Sequence, residues 1–294
     1  MQHYERSNRM TKRRHATTIF AKISAFMLLP LMVNGGFAAI PKAQPSSPAD
    51  ALRYADIADL FAGAPIALRA KIMSATRLKM PPNASGTARF YVEATVVSLI
   101  RGSQAVPPKL VWLVDMAPDS RGKIPKLGKA DVLVAALPVA GRPGEIRLAA
   151  RDSQLLWSPA LESRVRAVVT SVAAPDAPPA ITGIASAFHT AGTITGEGET
   201  QIFLSTTTNA PISITVLTRP GQPKIWAFAT GEIVDESAGP PAPDTLAWYR
   251  LACFLPRALP NAAVSELPTA DAEAAQGDYA FVVQALGTCP RVRT

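Results

Sequence analysis

The stretch AAPDAPPA, residues 173–180, divides the chain into two parts. Each proline fixes its own φ angle and lacks an amide hydrogen, so three prolines in eight residues interrupt any regular helix or strand. Short apolar segments alternate with turns rich in Gly and Pro on both sides of this stretch. With 294 residues, the chain is long enough for two domains of ordinary size. We therefore predict one domain over residues 50–173 and a second over residues 181–294.

The first domain is predicted to contain five short strands flanked by helices. In PIALRAKIMSAT (65–76) apolar residues alternate with Arg69 and Lys71, which is the period of a half-buried strand. Four further strands are predicted in RFYVEATVVSLIRG (89–102), KLVWLVDM (109–116), DVLVAAL (131–137) and GEIRLAA (144–150). One helix places Tyr54 and Phe61 on its apolar stripe, and another begins after Ser158. This pattern is typical of a small β-barrel or sandwich.

The second domain is predicted to begin with strands and to end with helices. The strand segments are ITGIASAF (181–188), TQIFLST (200–206), ISITVLT (212–218) and KIWAFATGEIV (224–234). A helix follows Asp244, which is predicted as its N-cap, and a last helix ends at Gly287. Cys253 and Cys289 follow these two helices, and we expect a disulfide between them. The predicted fold class is mainly β with α: an N-terminal small barrel and a C-terminal β domain ending in a disulfide-linked helical pair.

The N-terminal segment has the pattern of a secretory signal peptide. A cationic region is followed by the apolar stretch ISAFMLLPLMVNGGFAA, which ends in small residues. This apolar stretch is shorter than the roughly 20 residues that a spanning helix needs. We predict export by the general secretory route, cleavage after Ala38, a flexible linker over 39–49, a periplasmic location and no stable membrane anchor after cleavage.

Removal of the leader changes the charge of the protein. The whole chain has a formal charge of +8, and residues 1–38 contain six basic residues and one acid, so the mature chain has a formal charge of +3. Most of the basic character therefore belongs to the leader, and we predict no nucleic-acid partner. His189 is the one histidine after residue 38. With two cysteines and one histidine the mature chain lacks a recognised zinc spacing, and we predict neither a metal nor a cofactor.

The stretch FHTAGTITGEGETQIF (188–203) permits two interpretations. It is either a turn between strands or a functional loop in which His189 acts with Glu197 and Glu199. If TQIFLST is a strand, Thr200 faces the core and Glu199 faces the opposite side. The loop also contains several glycines, and flexible backbone holds an acid or a base poorly.

A hydrolase is the alternative function. Glu197, Glu199, Glu232 and Asp235 all belong to the second domain, and paired carboxylates assisted by His189 could cleave an envelope polymer. The chain has no G-x-S-x-G motif, and any Ser-His-Asp triad would have to use His189. No catalytic residue is therefore assigned.

A basic loop is a second candidate site. The segment DSRGKIPKLGKA between two predicted strands contributes Arg121, Lys123, Lys126 and Lys129. Such a loop could contact an anionic envelope polymer or a lipid headgroup. The other interpretation is a solvated connection. No aromatic residue lies among these cations, so a stacking platform for single-stranded nucleic acid is absent from this loop.

The segments PIALRAKIMSAT, RFYVEATVVSLIRG, KLGKADVLVAAL and GEIRL resemble OB-like barrel modules of exported bacterial proteins. Arg101-Gly102 and Gly128 match the pattern of these modules, whereas Ala70 stands where glycine is usual. The mature chain as a whole is similar to uncharacterised exported proteins of alphaproteobacteria. This resemblance implies no activity. The predicted function is a noncatalytic periplasmic binding or interaction module whose partner is an envelope component or another protein.

Overall fold

The structure is a computed structural model that describes residues 51–79, 86–102, 105–119, 121–231 and 239–293. The predicted leader and the linker over 39–49 lie outside the described residues. The protein is mainly β with some helices, with 36% strand and 23% helix, and its strands form two antiparallel sheets. This confirms the predicted mainly β class.

The first sheet contains six strands in the order β3-β2-β1-β4-β5, with β6 also paired to β4. The strands are β1 Ile66–Arg77, β2 Ala88–Arg101, β3 Lys109–Met116, β4 Asp131–Pro138, β5 Ile146–Leu148 and β6 Gln154–Leu156. The first five strands fall in the predicted segments. β6 was not predicted because three residues are too few to show a period.

The described strands do not close into a barrel. β3 and the residue before β5 meet at a single parallel bridge, Val111–Glu145, where the Val111 amide donates to the Gly144 carbonyl at 2.9 Å. β5 has only three residues, so no ladder continues beyond this bridge. The predicted OB-like barrel is therefore not confirmed, although the sheet curves around its own core.

The core of the first sheet contains the inward residues of every long strand. Leu68, Ile72, Val92, Trp112 and Val134 are all buried there, and the alternation predicted for β1 and β2 is confirmed at Leu68, Ile72 and Val92. The loop between β3 and β4 adds Leu127 to the same cluster.

Two helices pack on the outside of β1 and β4. These are α1 Tyr54–Phe61 and α2 Pro159–Ala173. The Ser158 hydroxyl accepts a hydrogen bond from the Leu161 amide at 3.1 Å, which confirms the predicted N-cap of α2.

Arg101, at the end of β2, ties this sheet to both helices. Its Nη1 donates to the carbonyl oxygens of Phe61, Ala62 and Ala64 at 2.9, 2.9 and 3.1 Å. Its Nη2 donates to the Val169 carbonyl in α2 at 3.3 Å. Carbonyl groups at helix C-termini lack intrahelical partners, and the guanidinium satisfies several of them at once.

The second sheet contains four strands in the order β10-β9-β8-β7. They are β7 Ile181–Ala191, β8 Gly198–Thr206, β9 Ile212–Thr218 and β10 Ile225–Ala229. Along β8, Thr200, Ile202 and Leu204 are buried as predicted, while Gln201 lies on the exposed face.

Helices cover the inner face of the second sheet. They are α3 Leu246–Ala252, a 3₁₀ turn Asn261–Val264 and α4 Thr269–Leu286. Gly287, with φ 72°, ends α4 as predicted. The predicted N-cap of α3 is wrong, because the Thr245 hydroxyl accepts from the Trp248 amide whereas Asp244 adopts φ 58° one residue earlier.

The disulfide is present as predicted. Cys253 follows α3, Cys289 follows α4, and their Cα atoms lie 5.2 Å apart. Within the part of the chain that the structure describes, no helix is both long and apolar enough to cross a membrane.

The two sheets share one hydrophobic cluster. It joins Leu133 of β4, Val165 of α2, Ile202 of β8 and Tyr279 of α4. Residues 45–294 form one compact unit. Residues 173–180 do separate the sheets along the chain, and the division into two domains stays a prediction.

The C-terminal tail lies along α1. Asp56 is fully buried, and its carboxylate accepts from the amides of Val292 and Arg293 at 3.0–3.2 Å. Arg291 pairs with Asp59, and Arg293 makes a two-point contact with Asp152 at 2.6 and 2.8 Å. The tail thus joins α1 to the turn before β6.

Substitution of Arg101→Met should destabilise the protein strongly. Met keeps much of the side-chain volume but leaves four carbonyl oxygens without their donor, and we expect a loss of about 2–4 kcal/mol in the free energy of unfolding. Lys109→Met, at an exposed strand position, should change it by about 0.5 kcal/mol or less. Urea unfolding followed by circular dichroism measures both. Equal effects of the two substitutions would contradict the role assigned to Arg101.

Candidate functional site

Charge is distributed unequally between the two sheets. Residues 65–152 contain 14 Lys and Arg but 6 Asp and Glu, which gives a formal charge of +8. Residues 181–294 contain 6 Lys and Arg and 10 Asp and Glu, which gives −4. The positive charge of residues 65–294 is therefore concentrated in the segment that forms most of the first sheet.

Every carboxylate in the basic segment already has a partner. Asp131 pairs with Arg69, Asp115 with Arg89, Glu145 with Arg142 and Asp152 with Arg293. Glu93 accepts from the Ser74 hydroxyl, and Asp119 accepts from backbone amides. Among the described residues, eleven of the 14 cations have no carboxylate partner, and one of these, Arg101, is occupied by carbonyl groups instead. The other ten are Lys71, Arg77, Lys79, Lys109, Arg121, Lys123, Lys126, Lys129, Arg147 and Arg151.

The predicted basic loop is exposed and held by its own backbone. Asp119 Oδ1 accepts from the amides of Arg121 and Lys123 at 2.9 and 2.8 Å. The Lys129 amide donates to the Ile72 carbonyl at 3.0 Å, with Lys129 at φ 66°. Arg121, Lys123, Lys126 and Lys129 all project to solvent. Their role in anion binding stays a prediction.

A cleft lies where β3 and β5 part beyond their single bridge. Its volume is about 530 Å³. Arg89, Arg147 and Arg151 contribute its positive charge, and the one carboxylate in its lining is Asp115. Leu113, Leu137, Leu148, Ala149 and Ala150 form its apolar part. We name this feature, defined by those nine residues, the arginine cleft.

Asp115 neutralises only part of the charge in the arginine cleft. Arg89 makes a two-point contact with Asp115 at 2.7 and 2.8 Å. This hydrogen bond lowers the pKa of Asp115 below its usual value, and the charge of Arg151 lowers it further. Asp115 is therefore ionised at neutral pH, and this single carboxylate faces three cations, of which only Arg89 forms an ion pair with it.

An exposed aromatic and aliphatic pair borders the cleft. Tyr91 of β2 lies opposite Leu113 of β3 in the ladder, and their exposed fractions are 38% and 48%. Large side chains that stay exposed on a sheet face are candidates for contact with a ligand. The arginine cleft therefore combines cations with an accessible apolar surface.

His189 belongs to a hydrogen-bonded cluster beneath the second sheet. Its Nδ1 lies 2.9 Å from the Thr200 hydroxyl, and that hydroxyl donates to Asp278 Oδ2 at 2.6 Å. Lys224 Nζ donates to Asp278 Oδ1 at 2.5 Å. Thr200 and Asp278 are buried, and the side chain of His189 is 11% exposed. α4 supplies Asp278, the β7–β8 pair supplies His189 and Thr200, and Lys224 directly precedes β10.

The direction of these hydrogen bonds argues against nucleophilic catalysis. The single hydrogen of Thr200 goes to Asp278, so the hydroxyl oxygen accepts from Nδ1–H of His189. In a nucleophilic triad the histidine instead takes the proton of the hydroxyl. Thr200 is also fully buried, out of reach of a substrate. The cluster joins α4 to the sheet.

The structure does not bring His189 together with Glu197 or Glu199, the two proposed carboxylates that it describes. Glu199 lies on the opposite face of β8 and accepts from Gln201 Nε2 at 2.8 Å. Glu197 lies in the hairpin turn, where its side chain covers Gly192. Glu232 and Asp235 lie outside the described residues. The hydrolase alternative stays a prediction, and the turn interpretation of 188–203 agrees with the hairpin of β7 and β8.

Several residues of these sites were missed at the level of sequence. Asp278 could have been noticed, because it shares the apolar stripe of Ala275, Tyr279 and Val282 on α4, where a carboxylate must find a buried partner. Arg147 and Arg151 gave no comparable signal, since Arg147 is a single cation in an apolar segment and Arg151 stands beside Asp152 in a turn. Their proximity to Arg89 depends on strand order.

No protein-family model matches the chain, and no curated protein matches it either. Within the described ranges, no group of three or more His, Cys, Asp or Glu side chains is arranged to hold a metal ion.

Gly198→Ala should destabilise the protein, because His189 occupies the space that a side chain would need. A Cβ at residue 198 would lie 2.7 Å from His189 Cε1, and the imidazole is held by Thr200. We expect a loss of about 1–3 kcal/mol in urea unfolding.

Gly183→Ala is the matched control for this substitution. Gly183 lies in the same strand as His189, and no heavy atom outside its chain neighbours lies within 4 Å of a Cβ added there. We expect a change of about 0.5 kcal/mol or less. A loss in Gly183→Ala as large as that in Gly198→Ala would show that β7 and β8 tolerate no added side chain, and that His189 is not the cause.

Proposed function

We propose that this protein is a noncatalytic, exported binding module that holds an anionic polysaccharide of the cell envelope in the arginine cleft. The observation that carries the proposal is the pair Arg147 and Arg151, which line a cleft of about 530 Å³ without a carboxylate partner among the described residues. Uncompensated cations beside an apolar surface provide attraction and contact area for an anionic chain.

The pairing of the first sheet supports an OB-like interpretation. β1 pairs with both β2 and β4, β2 pairs with β3, and β4 pairs with β5. The two ends of this order approach each other at the parallel bridge Val111–Glu145. OB-folds are partly open five-stranded barrels that bind oligosaccharides or oligonucleotides on the face of strands 2 and 3. Tyr91 and Leu113 lie on that face here.

A polysaccharide fits this cleft better than a small free anion. The cleft continues into the exposed surface of Tyr91 and Leu113, and aromatic side chains can pack against the apolar faces of sugars. Further unpaired cations in the loop between β3 and β4, Lys123 and Lys126 among them, could extend the contact along a chain. Binding should weaken as salt increases, because exposed charges are screened.

Replacement of both Arg147 and Arg151 by Gln should weaken binding of dextran sulfate by about tenfold or more, because each lost cation removes an ionic contact. The control is the double variant Lys109→Gln and Arg257→Gln, which removes the same charge from exposed positions outside the cleft. Isothermal titration at fixed ionic strength measures both, with uncharged dextran as the neutral probe. Equal loss in the two double variants would show that net charge, and not the cleft, determines binding.

Asp115→Asn tests the cleft in the opposite direction. It removes the one carboxylate of the lining and releases Arg89, so binding of dextran sulfate should become stronger. Weaker binding by this variant would contradict the proposed site. Binding to vesicles of anionic phospholipid together with no binding to dextran sulfate would show that the ligand is a membrane surface and not a polysaccharide.

Export to the periplasm is part of the proposal. The signal-peptide pattern, the disulfide between Cys253 and Cys289, and the resemblance to exported alphaproteobacterial proteins support it. Mass spectrometry of the protein isolated from an expressing bacterium should show Ala39 as the first residue. It should also show no free thiol before reduction. An intact leader with both thiols free would contradict export.

A further inference from the structure

A second cavity lies away from the arginine cleft, at the proline-rich stretch that separates the sheets. Its volume is about 410 Å³. Val172 and Pro178 come from the end of α2 and the segment after it, Thr208 comes from the β8–β9 turn, and Leu246 and Arg250 come from α3. Leu246 and Arg250 are four residues apart on one helix, so they share the face that borders the cavity.

Arg250 has no anionic partner among the described residues. In the part of the chain that the structure describes, its Nε is the one buried side-chain nitrogen or oxygen without a hydrogen-bond partner. The guanidinium lies over the ring of Tyr249, with 5.8 Å between its central carbon and the ring centroid. The groups that would raise the pKa of Arg250 if they were ionised are the hydroxyls of Tyr249 and Tyr54. Burial raises the pKa of both tyrosines, so both hydroxyls are neutral at ordinary pH.

An uncompensated, partly buried cation is costly to the protein that contains it. Burial lowers the pKa of Arg250, but guanidinium stays protonated at any ordinary pH. Its charge is therefore retained, and no side chain of the described residues pairs with it. Charged groups taken from water are stabilised by a partner of opposite charge.

We propose that this cavity binds a small molecule that carries one carboxylate on an apolar body, with Arg250 as the anion-binding residue. The planar guanidinium presents parallel N–H groups that match the two oxygens of a carboxylate. Val172, Pro178 and Leu246 supply apolar walls for the remainder of the ligand, and Thr208 adds a hydroxyl at the edge.

The rim of the cavity restricts the charge of the ligand. Asp176 belongs to the lining and is exposed. A carboxylate at the rim repels a second negative charge, which disfavours a phosphate dianion or a dicarboxylate. A monocarboxylate can place its single charge at Arg250 and keep its apolar part between the two groups.

Hexanoate is a suitable probe, with hexanamide as its neutral counterpart of nearly the same shape. At constant ionic strength, hexanoate should raise the melting temperature of the protein saturably, whereas hexanamide should not. Chemical shift changes should occur at the amides of residues 172–179 and of α3. In Arg250→Met the apparent affinity for hexanoate should fall by about tenfold or more. Arg257→Met, which removes an exposed cation outside the cavity, should bind as the unchanged protein does.

The ligand-free variants give an independent measurement. Arg250→Met should melt at the same temperature as the unchanged protein or at a higher one, because an apolar side chain removes the uncompensated charge. A clearly lower melting temperature would show that the guanidinium has a structural role and would overturn the proposal. So would an equal response of the unchanged protein and Arg250→Met to hexanoate, or no response in either. Arg250→Gln provides a second binding comparison and should also lose affinity for hexanoate.

The proposals for this cavity and for the arginine cleft can be tested independently of each other. Arg250→Met leaves the lining of the arginine cleft intact, so binding of dextran sulfate should not change. Loss of dextran sulfate binding in Arg250→Met would show that the two sites are not independent. It would overturn the assignment of a separate carboxylate ligand to the Arg250 cavity.

Discussion

The guanidinium of Arg101 is the contact on which the arrangement of sheet and helices depends. A β-strand cannot satisfy the carbonyl groups at the end of a helix, and those groups also carry the negative end of the helix dipole. Arg101 places a cation and several donors at the C-terminal ends of α1 and α2 simultaneously. The ends of both helices are therefore fixed relative to β2, and their apolar stripes are directed against β1 and β4.

Buried carboxylates complete the same framework at other points. Asp56 accepts the amides of the C-terminal tail, and Asp278 accepts Thr200 and Lys224. Each carboxylate is buried together with its donors, which avoids the large cost of an unpaired charge in the interior. Arg250 differs from this pattern, since its charge has no such partner among the described residues. The described buried carboxylates have hydrogen-bond donors, whereas the guanidinium of Arg250 lacks an acceptor. This difference is the reason for proposing a ligand in the second cavity.

The separation of charge explains why the proposed ligand is assigned to the first sheet. The carboxylates of residues 65–152 are all engaged, so the remaining cations act together on an approaching anion. The second sheet has the opposite formal charge, and its one histidine is engaged with Thr200. The most polar cluster of the protein therefore serves packing, whereas a less conspicuous group of surface arginines provides the candidate site.

Local features of this chain were determined by the sequence itself. Alternation in β1, β2 and β8 fixed which residues are buried, Ser158 fixed the start of α2, and Gly287 fixed the end of α4, because these signals act within a few residues. The disulfide was predictable because only two cysteines occur. Asp244 and Thr245 were confused because neighbouring residues can both cap a helix.

Only the tertiary structure decided which distant residues meet. Arg101 and Val169 are separated by 68 positions, Thr200 and Asp278 by 78, and Asp56 and Arg293 by 237. Such contacts depend on strand order and on how helices pack, neither of which is encoded in a local period. The arginine cleft exists because β3 and β5 meet at one bridge and then part, and the Arg250 cavity exists because α3 packs beside the proline-rich segment. Both are properties of the assembled surfaces of the chain.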